Sequence, residues 1–234
     1  MSPAPAHLLD NPVWHALHGP QAHLADPGRD PLALRFAPDV SPFGAVDRLD
    51  ESSWAALAKL VGPEGLSVLV RPEPALAPAG WTEVLRAPCY QMVAGSLPAA
   101  PKIDDAVDLC ERDVPEMLTL VELTNPGPFA ERTLAMGGYV GVRCEGRLVA
   151  MAGRRIQPPG WCEVSAVCTH PDFRGRGLGA ALTLRVACGI REEGRQVFLH
   201  VLETNETAVR LYRALGFEVR RSVAVTVNRL SRLP

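Results

Sequence analysis

The chain contains no Gly-Lys-Ser or Gly-Lys-Thr, so a Walker-type phosphate loop is excluded. It also lacks any Cys-x-x-Cys. Its six cysteines, at 89, 110, 144, 162, 168 and 188, are spaced for neither a zinc site nor a disulfide framework. They read as small buried hydrophobes, and no metal is expected. No uninterrupted apolar run reaches the roughly 18 residues of a membrane span, so no membrane partner is expected. Lysine is scarce, at 59 and 102 only, and the formal net charge is -2. That balance argues against a nucleic-acid partner. Met1 to His7 show no basic stretch followed by an apolar one. No signal peptide is read there, and a cytoplasmic location is expected.

What is present points to an α/β protein. The 234 residues are 47% hydrophobic and 21% charged, which suits a soluble globular chain of one large or two small domains. The Pro/Ala stretch Leu97 to Pro101 reads as a boundary, giving a smaller α/β domain over 1–100 and a second domain over 101–234. In the first part, Leu32 to Phe36 suggests a short strand. Ser52 and Ser53 suggest the cap of a helix running to Val61, before Gly62-Pro63. Leu66 to Val70 and Tyr90 to Val93 are β-rich. His15, His18 and His23 read as surface or capping residues.

The second part is more regular. Ala106 to Cys110 suggests a strand, and Asp113, Pro115 and Glu116 start a helix running to about Thr124. A short helix is expected from Phe129 to Met136. A hairpin follows around Glu145-Gly146, joining Gly138–Cys144 to Arg147–Ile156. Strands are expected at Cys162 to Thr169, Gln196 to Leu202, Phe217 to Arg221 and Val223 to Val227. Helices are expected from Leu178 to Ile190 and after Asn205, where Ala208, Leu211, Tyr212 and Leu215 form one stripe. Asn205 suits an N-cap there and Gly216 a C′ position.

The most informative stretch is Arg174-Gly175-Arg176-Gly177-Leu178-Gly179, between a β-branched run and a helix. A helix N-terminus presents unpaired N–H groups and partial positive charge, glycines permit close approach, and arginines add charge. A phosphate or diphosphate ligand follows. Gly175-x-Gly177-x-x-Ala180 also satisfies a dinucleotide fingerprint. Two features oppose that reading. His170 to Arg174 separate the strand from the first glycine. Only about sixty residues follow, too few for a nucleotide domain of roughly 150.

Two segments together carry a resemblance: Val167-Cys168-Thr169-His170-Pro171-x-x-Arg174-Gly175-Arg176-Gly177-Leu178-Gly179, and Asn205-x-x-Ala208-x-x-x-Tyr212-x-x-x-Gly216-Phe217. The chain resembles the GNAT superfamily of CoA-dependent N-acyltransferases over about residues 104–230. It looks closest to the branch with glycine N-acyltransferase-like C-terminal domains. The resemblance implies a mixed central β-sheet flanked by helices. The 1–100 part would precede it, with a degenerate second copy of the fold left open. It implies acetyl-CoA as co-substrate, no metal, and direct transfer in a ternary complex. The alternatives are a silent acyl-CoA sensor and a protein-modifying acyltransferase. The expected partner is a small-molecule, amino acid-like amine, with a homodimer left open.

Chemistry assigns roles to particular residues. Arg174, Gly175, Arg176, Gly177, Leu178, Gly179 and Ala180 would hold the diphosphate. Backbone N–H groups near Val167, Cys168 and Thr169 would stabilise the oxyanion, and a splayed strand there could pair with a pantetheine arm. By resemblance the same strand holds the pantetheine, and Asn205 joins the CoA-binding set. Tyr212, a phenol protonated at neutral pH, is the candidate acid for the leaving thiolate, as the resemblance also implies. Glu163 shares a strand face with Ser165, Val167 and Thr169 and is the candidate base, with burial expected to raise its pKa toward neutrality. A salt-bridged carboxylate is the competing reading. Glu122 and His200 are secondary candidates. Cys168 could in principle exchange acyl groups, but no side chain is arranged to activate its thiol.

Overall fold

Prolines and glycines are frequent in the first hundred residues, and the elements before Asp50 are short. The computed structural model describes residues 7–28, 30–103 and 105–231; Met1 to Ala6, most of the segment read for a targeting signal, lie outside these. Pro12 opens α1 (Pro12–Leu17). β1 (Ala33–Arg35) and β2 (Gly44–Val46) pair antiparallel in a separate two-stranded ribbon. α2 (Glu51–Val61) starts at Asp50, whose carboxylate accepts the Ser53 N–H, and stops at Gly62. The cap is therefore Asp50, and Ser52 and Ser53 lie inside the first turn. β3 (Leu66–Arg71) follows, then β4 (Trp81–Ala94), which is much longer than the expected run from Tyr90 to Val93.

β5 (Ala106–Leu109) leads into α3 (Val114–Thr124), with Pro in its first turn and a left-handed Asn125 at its end. The helix expected from Phe129 is only a 3-10 turn over Thr133–Met136. Pro128 and the bends around Gly127 leave too few residues for a helix to nucleate. β6 (Tyr139–Cys144) and β7 (Arg147–Arg154) form the expected hairpin. Glu145 and Gly146, at φ 50° and 82°, supply the two positive φ values of a tight turn. Then come β8 (Trp161–Thr169), α4 (Leu178–Glu192), β9 (Gln196–Leu202), α5 (Glu206–Ala214) and β10 (Phe217–Leu230). The two strands expected at the end are one, bent at an irregularity between Val219 and Arg221.

Eight of these strands form one mixed sheet in the order β3-β10-β4-β9-β8-β7-β6-β5. Only β8 and β9 run parallel. Alternation along β9 divides the interior. Val197, Leu199 and Val201 pack with Leu182, Val186 and Ile190 of α4, whereas Phe198 joins Leu9, Val13 and Leu17 from the N-terminal segment. Along β7, Ala150 and Ala152 go to the α4 side and Met151 to the side covered by Met117 and Leu120 of α3. Helices thus cover both faces.

The sheet does not divide at residue 100. β3 and β4 both come from the 1–100 part, and β4 is hydrogen-bonded between β10 and β9. The Pro/Ala stretch carries the chain from β4 to β5 at the far edge of the same sheet. The longest strand of 1–100 thus completes the sheet begun by the rest.

Candidate active site

β8 and β9 pair only at Trp161–Gln196, Cys162–Val197 and Glu163–Phe198, then separate. A cleft of about 1060 Å³ opens between their diverging ends. Ala166 has φ 52°, and the β7–β8 register is irregular here, with Ser165 opposite Gly153 and Cys168 opposite Met151. Ala166 and Val167 thus share one partner position, a bulge that bends β8 beside the cleft. Val167, Cys168 and Thr169 all line it.

At the end of β8, His170 caps a short 3-10 turn over Pro171–Phe173 by accepting the Asp172 N–H. Gly175 and Gly177 then take φ 76° and 75°. An added Cβ at either would meet nothing within 4 Å, so the left-handed backbone, not crowding, calls for glycine. Among the described residues, the N–H groups of residues 175 to 180 donate to no acceptor, and Gly177 supplies no side-chain cap. Six consecutive free donors at the start of α4 fit a diphosphate. Arg174 and Arg176 sit on either side of Gly175. Arg176 stacks on Phe173 at 4.7 Å and donates to the Asp172 carbonyl, while Arg174 donates to the Thr169 carbonyl. Arg147, from β7, reaches His170 at 2.7 Å and adds a third cation that the sequence did not reveal.

Asn205 lines the cleft and caps α5, its Oδ1 accepting the Ala208 N–H at 3.1 Å. Tyr212, two turns further, also faces the cleft, packed against Phe217. Burial, with a smaller effect from Cys168, pushes its phenol up to about 12, so the hydroxyl keeps its proton throughout the neutral range. Burial also pushes the Cys168 thiol up to about 11, which removes the thiolate a covalent route would need.

Glu163 corrects the sequence reading. It is fully buried, and its carboxylate is saturated. Arg155 donates to it through Nε at 3.0 Å and Nη2 at 2.7 Å. The Ile156 N–H adds a bond at 3.2 Å and His200 Nδ1 one at 2.8 Å. Burial alone would raise its pKa, but the Arg155 charge and these hydrogen bonds outweigh it and hold the carboxyl at about 2. An acid that weak in proton affinity, with no free lone pair, cannot act as base. Glu163 is also absent from the cleft wall.

His200 lines the cleft but is committed as well. Gln91 Oε1 accepts from Arg220 at 2.7 Å, which directs the Gln91 Nε2 to the Leu9 carbonyl and to His200 Nε2 at 3.0 Å. That orientation assigns the proton to Nδ1, facing Glu163. Glu122 is exposed on α3, away from the wall. No described residue lining the cleft is Asp or Glu. The structure adds lining residues that no motif marked: the loop from Asn125 to Phe129, Phe43, and Arg155.

A layered mixed sheet with a splayed parallel pair, a bulge and a glycine turn at a helix start defines an acyl-CoA-binding class of fold. The comparisons agree. The family model described as FR47-like protein matches residues 139–225. A crystal structure of a putative acetyltransferase from the GNAT family of Novosphingobium aromaticivorans is 41% identical. It covers 97% of this chain and 100% of that one, with a TM-score of 0.89. The chain therefore belongs to the GNAT family. A mycothiol acetyltransferase from Thermobifida fusca is 49% identical over 61 residues, 26% of this chain and 19% of the relative. An N-alpha-acetyltransferase RimI from Mycobacterium tuberculosis is 39% identical over 83 residues, 34% of this chain and 51% of the relative. The chain thus spans only part of the length of these curated relatives.

Proposed function

We propose that the protein is an acetyl-CoA-dependent N-acetyltransferase acting on the primary amine of a small, amino acid-like metabolite. The observation that carries this is the row of six free N–H donors at residues 175–180, opening onto a cleft that Tyr212 and the β8 bulge both face. The donors hold the diphosphate, with Arg174 and Arg176 adding charge. Backbone near Val167 to Thr169 holds the pantetheine arm and the carbonyl oxygen. Asn205 fixes the start of α5 beside them.

Within a ternary complex the amine nitrogen attacks the thioester carbonyl carbon. The C–S bond breaks, and the departing sulfur takes the Tyr212 proton. The new amide sheds its extra proton to water, because no carboxylate in the cleft wall can receive it. Tyr212 recovers its proton from solvent. The closer resemblance to glycine N-acyltransferase-like domains, a cytoplasmic location and a small-molecule partner belong to the same proposal. The six unpaired cysteines accord with a reducing compartment.

Calorimetry with acetyl-CoA, followed by turnover on an amine panel, tests this reading. Wild type should bind acetyl-CoA, and Gly177→Asp, which puts a carboxylate among the phosphate donors, should not. Equal behaviour of the two would sink the proposal. Binding without turnover on any amine would instead favour an acyl-CoA sensor.

A further inference from the structure

One cation in the cleft has donors to spare. Arg155, just beyond β7, is only 9% exposed. Its Nε and Nη2 are spent on Glu163, at 3.0 and 2.7 Å. Its Nη1 donates to no group among the described residues and is not sealed from the cleft. The guanidinium lies over the Phe43 ring, with Cζ 4.9 Å from the centroid. The left-handed Gly127 is also close by, and a Cβ added there would lie 3.7 Å from Nη1. The ion pair and the ring fix the guanidinium plane, so the direction of the unused N–H bonds is set in advance. Buried polar groups are ordinarily paired, and an Arg with open donors facing a cavity awaits an acceptor.

The surroundings specify that acceptor. Val68, Val70 and Cys89 form one apolar cluster with Phe43, and all four line the cleft along with Arg155. No described lining residue is Asp or Glu, so nothing here would hold a second ammonium such as a polyamine carries. Glu163 does not compete for Nη1, since Arg155, His200 and the Ile156 N–H already occupy its oxygens. A carboxylate forms the stronger, charge-assisted bond to guanidinium.

We propose that Arg155 is the specificity-determining residue for the acceptor, which is an α-amino acid with an apolar side chain. Nη1 holds its carboxylate, and Phe43 with the neighbouring valines receives its side chain. The amino group is left to face the β8 bulge. This rests on the N-acetyltransferase reading and adds the chemical class of the substrate.

The test uses products as probes, measured by calorimetry on the CoA-loaded protein. N-acetyl-L-leucine should bind at least about tenfold tighter than N-acetyl-L-leucinamide, which keeps the shape without the charge, and tighter than N-acetylglycine. In the double variant R155Q/E163Q, which retains a neutral hydrogen-bonding pair, the acid-to-amide ratio should fall to near one while CoA binding is kept. If that variant does not fold, R155K carries the comparison, since a single ammonium drawn to Glu163 leaves no nitrogen at the place of Nη1. Equal binding of acid and amide, binding of neither, or a ratio preserved in the folded variant would overturn the assignment. N-acetylglycine binding as tightly as N-acetyl-L-leucine would overturn its apolar part. A selective carboxylate site with no transfer from acetyl-CoA to L-leucine would refute the transferase reading while leaving the Arg155 site standing.

Discussion

Burial pushes the pKa of both Glu163 and Tyr212 up, yet their net shifts are opposite. The Glu163 carboxyl is held at about 2 by Arg155 and its hydrogen bonds. Because the folded value lies below the ordinary one, its contribution to stability is complete above about pH 4.5 and is lost as pH falls through about 2. Glu163→Gln leaves Arg155 buried without its counter-charge. Denaturant unfolding at pH 7 should show a loss of about 3–5 kcal/mol. The variant should also lose less stability than wild type on acidification over that window. A variant as stable as wild type would show the pair to be unimportant. Tyr212→Phe removes only a hydroxyl, so Tm should hold. Its kcat should drop about 10²–10⁴-fold with little change in the KM for acetyl-CoA. With no carboxylate in the cleft wall, kcat/KM should climb with pH along the free-amine fraction of the acceptor. An added inflection that shifts in a carboxylate or His200 variant would contradict that account.

At the level of elements, left-handed glycines divide into two kinds. Gly177 has open space around an added Cβ, whereas at Gly216 that atom would run into the Ser96 carbonyl oxygen. Gly177→Ala should therefore cost about 1–2 kcal/mol of backbone strain and mainly weaken acetyl-CoA binding. Gly216→Ala meets both strain and backbone overlap and should lower Tm several degrees further; similar losses would argue against this distinction. Which elements were legible beforehand follows from the range of the interactions that set them. The glycine turn, the α5 cap and the Glu145-Gly146 hairpin are decided within a few residues, and all three stand where local pattern put them. The span of β4 was not legible. Its first half is mostly exposed and paired only to β10, so neither hydrophobic alternation nor burial announces it. Glu163 was misjudged for a related reason. Alternation gave the strand face, but its partners Arg155 and His200 come from other segments, and they decide whether a buried carboxylate is a base or half of an ion pair.

The whole molecule is tied together by a strand from the 1–100 part inserted between two from the rest. Cys89 to Val93 pair with Leu202 to Phe198 on one side, and Ala94 to Trp81 pair with Phe217 to Leu230 on the other. Without β4, both β9 and β10 would expose unpaired edges, and β9 would also lose Gln91, which holds His200 in place. The N-terminal segment further covers Phe198, Ile156 and Val223 on one face of the sheet. A fragment of residues 101–234, although it carries the phosphate turn, α5 and Tyr212, should therefore fail to fold as a monomer. It should show little cooperative unfolding and no acetyl-CoA binding. Co-expression with residues 1–100 should restore both, because the missing strand and its cover can dock in trans. A soluble, cooperatively folding 101–234 fragment that binds acetyl-CoA would show the opposite, that residues 1–100 are an accessory to an autonomous domain. Recovery only in the presence of both pieces would make the acceptor end of the cleft, with Phe43 and Cys89 from one piece and Arg155 and His200 from the other, a site that exists only when the sheet is whole.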